Sequence, residues 1–296
     1  MRKENNNRIR KAAPLLLMAV MALSACSKGG SADAKAPAKA GADTAITGAE
    51  FTEAAPAAQT EESGEAVTIL IAAAASLKYS YEDELIPMFE AQNPGIKVQA
   101  TFDSSGKLKT QLEEGLEADV FMSAAVKQMT ELTEENLIDA GSVIDLLENK
   151  IVLIVPEGVD AKVSGFTDIT DADVIAIGDP ESVPAGQYAK EALTSLGLWD
   201  EVEAKSTKGT NVTEVLNWVA EGSADAGIVY ATDAKTTKNV LVIAEAPAGS
   251  LAQKVIYPVG IVSTSANREA AQQFVDFLQT GEALAVFEQY GFSANQ

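Results

Sequence analysis

The sequence predicts an α/β protein with mostly parallel sheets and two lobes. From residue 66 onward, strand-like apolar runs alternate with helix-like runs, and this alternation is typical of sheets covered by helices. The alternating region has about 230 residues, more than a single sheet usually needs, which favours two lobes. The strand-like runs are 67–71, 97–102, 119–122, 150–155, 174–178, 226–230, 240–243 and 256–262.

The helices are predicted from apolar residues that recur on one face. In the run 79–90, Tyr81 and Leu85 are four residues apart and share a face. Pro87 lies inside this run and should kink the helix, because it lacks a backbone N–H. The other helix-like runs are 105–114, 186–196, 212–220 and 268–290, the last interrupted at Gly281.

The first 65 residues are predicted to lie outside the folded region. Residues 1–25 combine five basic residues with an apolar run too short to span a membrane, which is the plan of an export signal. The segment leads into Leu23-Ser24-Ala25-Cys26, which resembles a bacterial lipobox and makes Cys26 the predicted lipidation site. An ordinary signal peptide that happens to contain a cysteine is the alternative. Residues 26–65 are then lipidated Cys26 and a disordered tether, because their composition cannot bury a core.

The composition excludes several kinds of site. The chain has no histidine and one cysteine. It therefore has no Ser-His-Asp or Cys-His nucleophile system, no internal disulfide and no histidine-ligated or multi-cysteine zinc site. The formal net charge of −21 should repel nucleic acid and anionic lipid, so we expect no nucleic-acid partner. Any bound anion has to be held by local dipoles rather than by the field of the whole protein.

Three predicted strands are followed by small or hydroxyl residues where a helix is predicted to start, and a fourth loop of this kind opens the helix predicted at 212–220. In an open α/β sheet, ligands bind at the carboxyl ends of the strands, and a helix start offers free N–H groups and a partial positive charge. Helix starts that converge would form a cage of donors for a fully ionised tetrahedral oxyanion. No P-loop sequence is present, which argues against a nucleotide phosphate. The four loops are 72–76, 103–106, 179–186 and 207–212.

Several segments resemble the molybdate-binding proteins of ABC import systems. The motifs occur in family order over about residues 66–296, and the pair formed by GDP and VPAG is the most distinctive. The matching segments are AAASL at 73–77, FDSSG at 102–106, ADVFMSA at 118–124, GDP at 178–180, VPAGQYA at 183–189, GIVYATDA at 227–234 and YGF at 290–292.

The resemblance implies a two-lobed, type II periplasmic-binding-protein fold that closes on molybdate or tungstate and has no enzymatic activity. By position it implies five ligand-binding residues: Ser76, Ser105, Ala185, Val212 and Tyr230. The two serines would donate through hydroxyl and backbone N–H, Ala185 and Val212 through backbone N–H alone, and Tyr230 through its phenol. The family implies no cofactor and no protein-ligated cation, since the metal enters only as the oxyanion.

Three of these assignments leave alternatives open. Ser104 could contact the ligand while Ser105 caps the helix, although we favour Ser105. Val212 could be only a core residue on its helix face, in a segment with little distinctive sequence. Tyr230 could be a buried aromatic residue of a strand.

Other polar residues have simpler interpretations than a functional site. Asp119 and Asp179 could suggest a catalytic carboxylate pair, but we interpret them as turn caps because no other catalytic residue lies near them in the sequence. Lys78, Lys107 and Lys109 could form a basic rim, but we interpret each as part of a helix surface.

The predicted organisation is lobe 1 over 66–149 and 256–296 and lobe 2 over 150–255, with the chain crossing between them twice. The predicted function is that of a monomeric binding protein, lipid-anchored at the outer face of the cell membrane, which delivers its oxyanion to an ABC transporter permease. Three alternatives remain: a binding protein for another tetrahedral oxyanion such as sulfate or phosphate, a carboxylate-based surface hydrolase, and a surface lipoprotein without a ligand.

Overall fold

The structure is a computed structural model that describes residues 66–295. These residues form two sheets flanked by helices. The export signal predicted for 1–25 and the lipidated Cys26 with its tether over 26–65 lie outside the described residues. Within the described part of the chain, no helix is long and apolar enough to cross a membrane.

The two sheets contain six and five strands. Their strand orders are β11-β4-β10-β3-β1-β2 and β7-β6-β8-β5-β9. The strands are β1 Val67–Ala74, β2 Ile96–Asp103, β3 Val120–Met122, β4 Ile144–Asn149, β5 Ile151–Pro156, β6 Ile175–Gly178, β7 Ser206–Gly209, β8 Ala226–Tyr230, β9 Val240–Glu245, β10 Val255–Ile261 and β11 Ser293–Ala294.

Helices cover the sheets and connect most of the strands. A 3₁₀ turn, Ala75–Leu77, follows β1, and two further 3₁₀ segments are Ala140–Ser142 and Phe166–Asp171. The helices are α1 Lys78–Ser80, α2 Ile86–Gln92, α3 Ser105–Glu113, α4 Val126–Glu134, α5 Pro184–Ser195, α6 Trp199–Lys205, α7 Val212–Ala220, α8 Ala231–Lys235, α9 Arg268–Leu278 and α10 Gly281–Tyr290.

All eight predicted strands are present, and three further strands, β4, β7 and β11, were not predicted. The strand β7 has the sequence Ser-Thr-Lys-Gly at the edge of its sheet, so it has no apolar pattern to detect. The strand β11 has only two residues, and β4 alternates poorly because Leu146 and Leu147 are adjacent. Edge position and short length therefore explain most of what the hydrophobic pattern missed.

The sheets are mixed, which corrects the expectation of mostly parallel sheets. The strand β1 is parallel to β2 and β3, and β6 is parallel to β7 and β8. However, β10 is antiparallel to β3 and β4, and β5 is antiparallel to β8 and β9. Both β5 and β10 are the first strands after the chain passes from one sheet to the other. They start where their neighbours end, as the pairing of Ile151 with Tyr230 shows, so they run in the opposite direction.

The chain passes between the sheets twice, at Lys150 between β4 and β5 and again between β9 and β10. We call the six-stranded sheet with α1–α4, α9 and α10 lobe 1, and the five-stranded sheet with α5–α8 lobe 2. The exact lobe boundaries given above stay a prediction, because contacts between the lobes join residues 66–295 into one compact unit.

The proline in the first helical run is accommodated by a wider helical turn. Residues Tyr81–Leu85 between α1 and α2 are π-helical, and the N–H of Ile86 donates to the carbonyl of Tyr81. A π-type turn is a recognised cause of helix bending, as is proline itself. In place of a kink at Pro87 itself, the helix has a π-helical turn over the residues just before it.

Two glycines let α5 begin directly at the end of β6. Gly178 is the last residue of β6, and Gly186 lies in the first turn of α5. A Cβ atom on Gly186 would overlap the carbonyl oxygen of Gly178. This close approach fixes the position of the first turn of α5, which includes Ala185.

We expect Gly186→Ala to destabilise the protein by about 1–3 kcal/mol, because the added methyl group has to displace the backbone of Gly178. The matched control is Gly281→Ala in the first turn of α10, where no atom lies within 4 Å of the position a Cβ would take. The control should change the free energy of unfolding by less than about 1 kcal/mol. Urea denaturation of both variants measures this difference, and equal losses would contradict the packing argument.

Candidate functional site

A small cavity lies between the two lobes, where four helical segments begin. Ser76, Ser105, Ala185, Val212 and Tyr230, the five residues singled out in the sequence, all line it. Its volume is about 10 Å³ for the positions of a water molecule's centre, which is room for about one water molecule. The other lining residues are Ala74, Ala75, Asp103, Ser104, Ala124, Val183 and Pro184.

Four backbone N–H groups at this cavity are available to a ligand. Ser105 and Val212 are the first residues of α3 and α7, Ala185 is the second residue of α5, and Ser76 lies in the 3₁₀ turn after β1. First-turn N–H groups have no partner within their own helix. None of these four has another hydrogen-bond partner within residues 66–295. They are therefore free to donate to an anion.

The two adjacent serines at the start of α3 have different roles. Ser104 is the N-cap residue, and its Oγ accepts a hydrogen bond from the N–H of Lys107 at 3.4 Å. Ser105 is fully buried, and its Oγ accepts from the N–H of Ala124 at 2.9 Å. Because the Ser105 oxygen is the acceptor in that bond, its own hydrogen remains free to donate. This arrangement favours Ser105 over Ser104 as the ligand donor.

Tyr230 connects the lobes across the cavity. It ends β8 in lobe 2, and its phenol donates to the carbonyl oxygen of Ala124 in lobe 1 at 3.2 Å. Burial, together with the nearby Tyr257, raises the pKa of the Tyr230 phenol well above its usual value, so the group keeps its proton. A phenol has one hydrogen, so a ligand would compete with Ala124 for it.

The lysines near the site are paired with carboxylates and do not line the cavity. Lys78 pairs with Glu82 at 3.8 Å, and Lys109 pairs with a group of glutamates on α3 and α4. Lys107 pairs with Asp103 at 3.3 Å. Among residues 66–295, no group of His, Cys, Asp and Glu side chains is placed to hold a metal ion.

Asp103 is the one charged residue that lines the cavity, and sequence reasoning did not identify it. Its carboxylate accepts from the N–H of Ser104 at 2.8 Å and from Asn211 Nδ2 in lobe 2 at 3.4 Å. With Lys107 at i+4, these donors compensate its charge. The sequence did contain a signal for this role: Asp103 stands directly before the two serines, and a lysine follows it four residues later.

The lobes also contact each other directly beside the cavity. The N–H of Gly106 donates to the carbonyl oxygen of Ser182 at 3.0 Å. A Cβ atom on Gly106 would overlap that same oxygen. This contact therefore requires glycine and holds the start of α3 against the loop that precedes α5.

Asp179 caps a turn as interpreted from the sequence, whereas Asp119 does not cap its own turn and instead bridges distant segments. The carboxylate of Asp119 accepts from the N–H of Leu70 at 2.7 Å and from Ser265 Oγ at 2.6 Å. Asp179 accepts from the N–H of Glu181 at 3.1 Å within its turn. Asp179 therefore stabilises its own turn, Asp119 connects β1 to the segment before α9, and neither lines the cavity.

A buried polar cluster that the sequence analysis did not predict extends from the cavity to the crossing between the lobes. Ser76 Oγ and the phenol oxygen of Tyr257 are 2.9 Å apart. Asn149 Nδ2 is 3.1 Å from the same phenol oxygen and 2.9 Å from Thr232 Oγ1. Tyr257 and Asn149 lie on strands that begin and end at the two crossings, and nothing in their local sequence marks them as polar partners.

A buried carboxylate lies next to Tyr230. Asp233 is 4% exposed, and its Oδ2 accepts from the N–H of Tyr230 at 3.3 Å. No ion pair within residues 66–295 includes it. Burial raises the pKa of Asp233 from its usual value of 3.8 to about 7.

The chain matches the family model of bacterial extracellular solute-binding proteins over residues 69–293. It is 41% identical over 233 residues to a Bacillus subtilis (strain 168) protein named "Putative ABC transporter substrate-binding lipoprotein YvgL", covering 79% of this chain and 89% of that protein. It is 38% identical over 231 residues to the molybdate-binding protein ModA of Haemophilus influenzae, covering 76% of this chain and 90% of the relative.

A solved structure has the same fold. It is described as the "substrate binding domain of putative molybdenum ABC transporter from Clostridium difficile". It is 36% identical to this chain, with a TM-score of 0.61, and the match covers 78% of this chain and 100% of that one. The predicted two-lobed, type II periplasmic-binding-protein fold is thereby confirmed.

The raised pKa of Asp233 predicts a pH-dependent stability. The folded protein keeps the Asp233 proton up to about pH 7, whereas the unfolded chain loses it near pH 3.8. The folded state therefore binds more protons in this window, and stability should fall as the pH rises through it. Between pH 5 and 8 this group should remove about 2–3 kcal/mol from the free energy of unfolding.

Asp233→Asn keeps an acceptor for the Tyr230 N–H and removes the titration. Urea denaturation of wild type and variant at several pH values from 5 to 8 measures the effect. The variant should lose less stability than the wild type as the pH rises. Parallel curves would contradict a buried, titrating Asp233.

Proposed function

Since the chain belongs to the family of bacterial extracellular solute-binding proteins, we propose that it binds molybdate or tungstate between its lobes and delivers the oxyanion to an ABC transporter permease. It is a transport binding protein and not an enzyme. The single observation that carries the substrate class is the cavity lined by Ser76, Ser105, Ala185, Val212 and Tyr230. The relatives named as molybdate-binding proteins support the choice of oxyanion.

The chemistry of the cavity supports a fully ionised oxyanion. Four unpaired backbone N–H groups and the Ser105 hydroxyl are all donors, and the helix starts add partial positive charge. A ligand that only accepts hydrogen bonds satisfies such donors. A phosphate that carries a proton needs an acceptor for it, and the Asp103 carboxylate at the cavity is already bonded to Ser104, Lys107 and Asn211, so an unpaired proton would cost affinity.

The ligand would also stabilise the closed arrangement of the lobes. Ser76 and Ser105 belong to lobe 1, whereas Ala185, Val212 and Tyr230 belong to lobe 2. An oxyanion bound to both sets makes more contacts when the lobes are closed, so it shifts the population toward closure. We propose that lobe 1 comprises 66–149 and 256–296 and lobe 2 comprises 150–255.

We further propose that the protein acts as a monomer held at the extracytoplasmic face of the cell membrane. Removal of residues 1–25 would leave Cys26 as the acylated first residue, and the rest of 26–65 would serve as the tether. The relative named as a lipoprotein supports this arrangement. Mass spectrometry of the membrane-bound protein tests it, and an unmodified Cys26 would refute the lipid anchor.

A thermal-shift panel with molybdate, tungstate, sulfate and phosphate tests the proposed ligand. A ligand present at 100 times its dissociation constant adds about 2.7 kcal/mol of stability, which raises the melting temperature measurably. We expect large shifts with molybdate and tungstate and small shifts with the other two. A shift with sulfate or phosphate alone would support a transporter for that oxyanion instead. No shift with any of the four would refute oxyanion binding.

Ser76→Ala should weaken molybdate binding by about 1–3 kcal/mol, because a buried anion loses one hydroxyl donor while the backbone N–H remains. Isothermal titration calorimetry measures the change. The matched control is Ser80→Ala, since Ser80 is also buried but its hydroxyl donates to the carbonyl of Leu77, away from the cavity. Control affinity should equal that of the wild type. If the wild type, Ser76→Ala and Ser80→Ala bind molybdate equally well, the Ser76 hydroxyl does not contact the ligand.

A further inference from the structure

We propose that Tyr257 is a positioning residue for the oxyanion site, because its phenol turns the Ser76 hydroxyl so that the Ser76 hydrogen is available to the ligand. Tyr257 does not line the cavity, so it acts through Ser76. This inference rests on the proposed function and adds a residue whose role the family motifs do not indicate. A chain of hydrogen bonds connects the first crossing between the lobes to the cavity through Asn149, Tyr257 and Ser76.

The first step is the orientation of the Asn149 amide. The backbone N–H of Lys150 donates to Asn149 Oδ1 at 2.8 Å. This bond identifies which end of the amide carries the oxygen. The two hydrogens on Nδ2 are then donated to Thr232 Oγ1 at 2.9 Å and to the Tyr257 oxygen at 3.1 Å. Asn149 is therefore a donor to Tyr257 and not an acceptor.

The second step is the direction of the Tyr257 hydrogen bond. Tyr257 is fully buried, and burial raises the pKa of its phenol well above the usual value, so it keeps its single hydrogen. Its oxygen already accepts from Asn149. Its other hydrogen-bond partner within residues 66–295 is Ser76 Oγ, at 2.9 Å, and that distance alone allows either oxygen to donate. If Ser76 donated, the buried Tyr257 hydrogen would have no acceptor, which costs free energy. The Tyr257 hydroxyl is therefore the donor to Ser76.

The third step is the consequence for Ser76. Because its Oγ accepts from Tyr257, the Ser76 hydrogen is not used in that bond and can point to a ligand in the cavity. The same arrangement occurs at Ser105, whose Oγ accepts from the Ala124 N–H. Each serine thus has its oxygen fixed by a donor on one side and its hydrogen left for the ligand. The Tyr257 hydroxyl donates to Ser76 Oγ just as the Ala124 N–H donates to Ser105 Oγ.

The ring of Tyr257 is held independently of its hydroxyl. It packs edge-to-face against Tyr230 at 5.5 Å and against Phe292 at 5.2 Å between ring centroids. Tyr257→Phe therefore retains these contacts and removes only the donor to Ser76. A loss of affinity in this variant reports on the hydroxyl and not on the aromatic packing.

The test is a double-mutant cycle of Tyr257→Phe and Ser76→Ala, with molybdate affinity measured by calorimetry. Tyr257→Phe alone should bind about tenfold more weakly than wild type, since one charge-assisted donor is no longer held in place. In the Ser76→Ala background, Tyr257→Phe should change the affinity by less than about twofold, because the residue it positions is gone. A merely structural role would give the same loss in both backgrounds.

Two further variants make the test decisive. Tyr81→Phe is the matched control, since Tyr81 is also fully buried but donates to Met122 Sδ, outside the cavity. It should bind molybdate like the wild type. Asn149→Ala removes the donor to the Tyr257 oxygen, which can then accept from Ser76 instead. This variant should also bind molybdate more weakly than the wild type, and the loss should disappear in the Ser76→Ala background. This variant tests the proposal if Tyr257→Phe fails to fold.

The outcomes separate this inference from the proposed function. If the wild type binds molybdate and Ser76→Ala weakens binding, but Tyr257→Phe and Asn149→Ala bind like the wild type, positioning by Tyr257 is overturned and the proposed function stands. Additive losses in the double-mutant cycle overturn it as well. A wild-type protein that binds no molybdate would overturn the proposed function first, and this inference with it.

Discussion

The structure depends on the convergence of four unpaired backbone N–H groups on one small cavity. A helix cannot satisfy the N–H groups of its own first turn, and burying them without a partner costs free energy. Here the starts of α3, α5 and α7 and the 3₁₀ turn after β1 meet between the lobes. The proposed oxyanion would accept hydrogen bonds from all four N–H groups at once and so offset this cost.

Among residues 66–295, no lysine or arginine side chain lines the cavity, so the site should select anions by shape and protonation and not by charge alone. Lys107 and Lys78 are neutralised by carboxylates of their own lobe, and the chain as a whole carries a net charge of −21. A lysine would attract any anion, whatever its shape or protonation. Fixed donors instead require acceptors at defined positions, and the close contact of Gly106 with Ser182 holds two of the helix starts together.

Much of this account could be predicted from the sequence, because strand and helix periodicity and the small residues at strand ends are local features. The five cavity residues came instead from the family resemblance, which assigned them by position, and only the structure separated Ser105 from Ser104 through the capping bond of Ser104. Strand direction after each crossing was not predictable, since it depends on where the chain re-enters a sheet. Nor were Asp103 and the pair formed by Asn149 and Tyr257, because hydrogen bonds over 108 residues leave no local pattern.

The dependence of molybdate affinity on ionic strength tests most directly whether uncharged donors hold the anion. The titration is done at low and moderate concentrations of sodium gluconate, whose anion is too large for the cavity. We predict that added salt leaves the affinity unchanged or increases it, because salt screens the repulsion between the dianion and a protein of net charge −21. A several-fold loss of affinity with added salt would contradict the account, since it would mean that lysine side chains hold the anion.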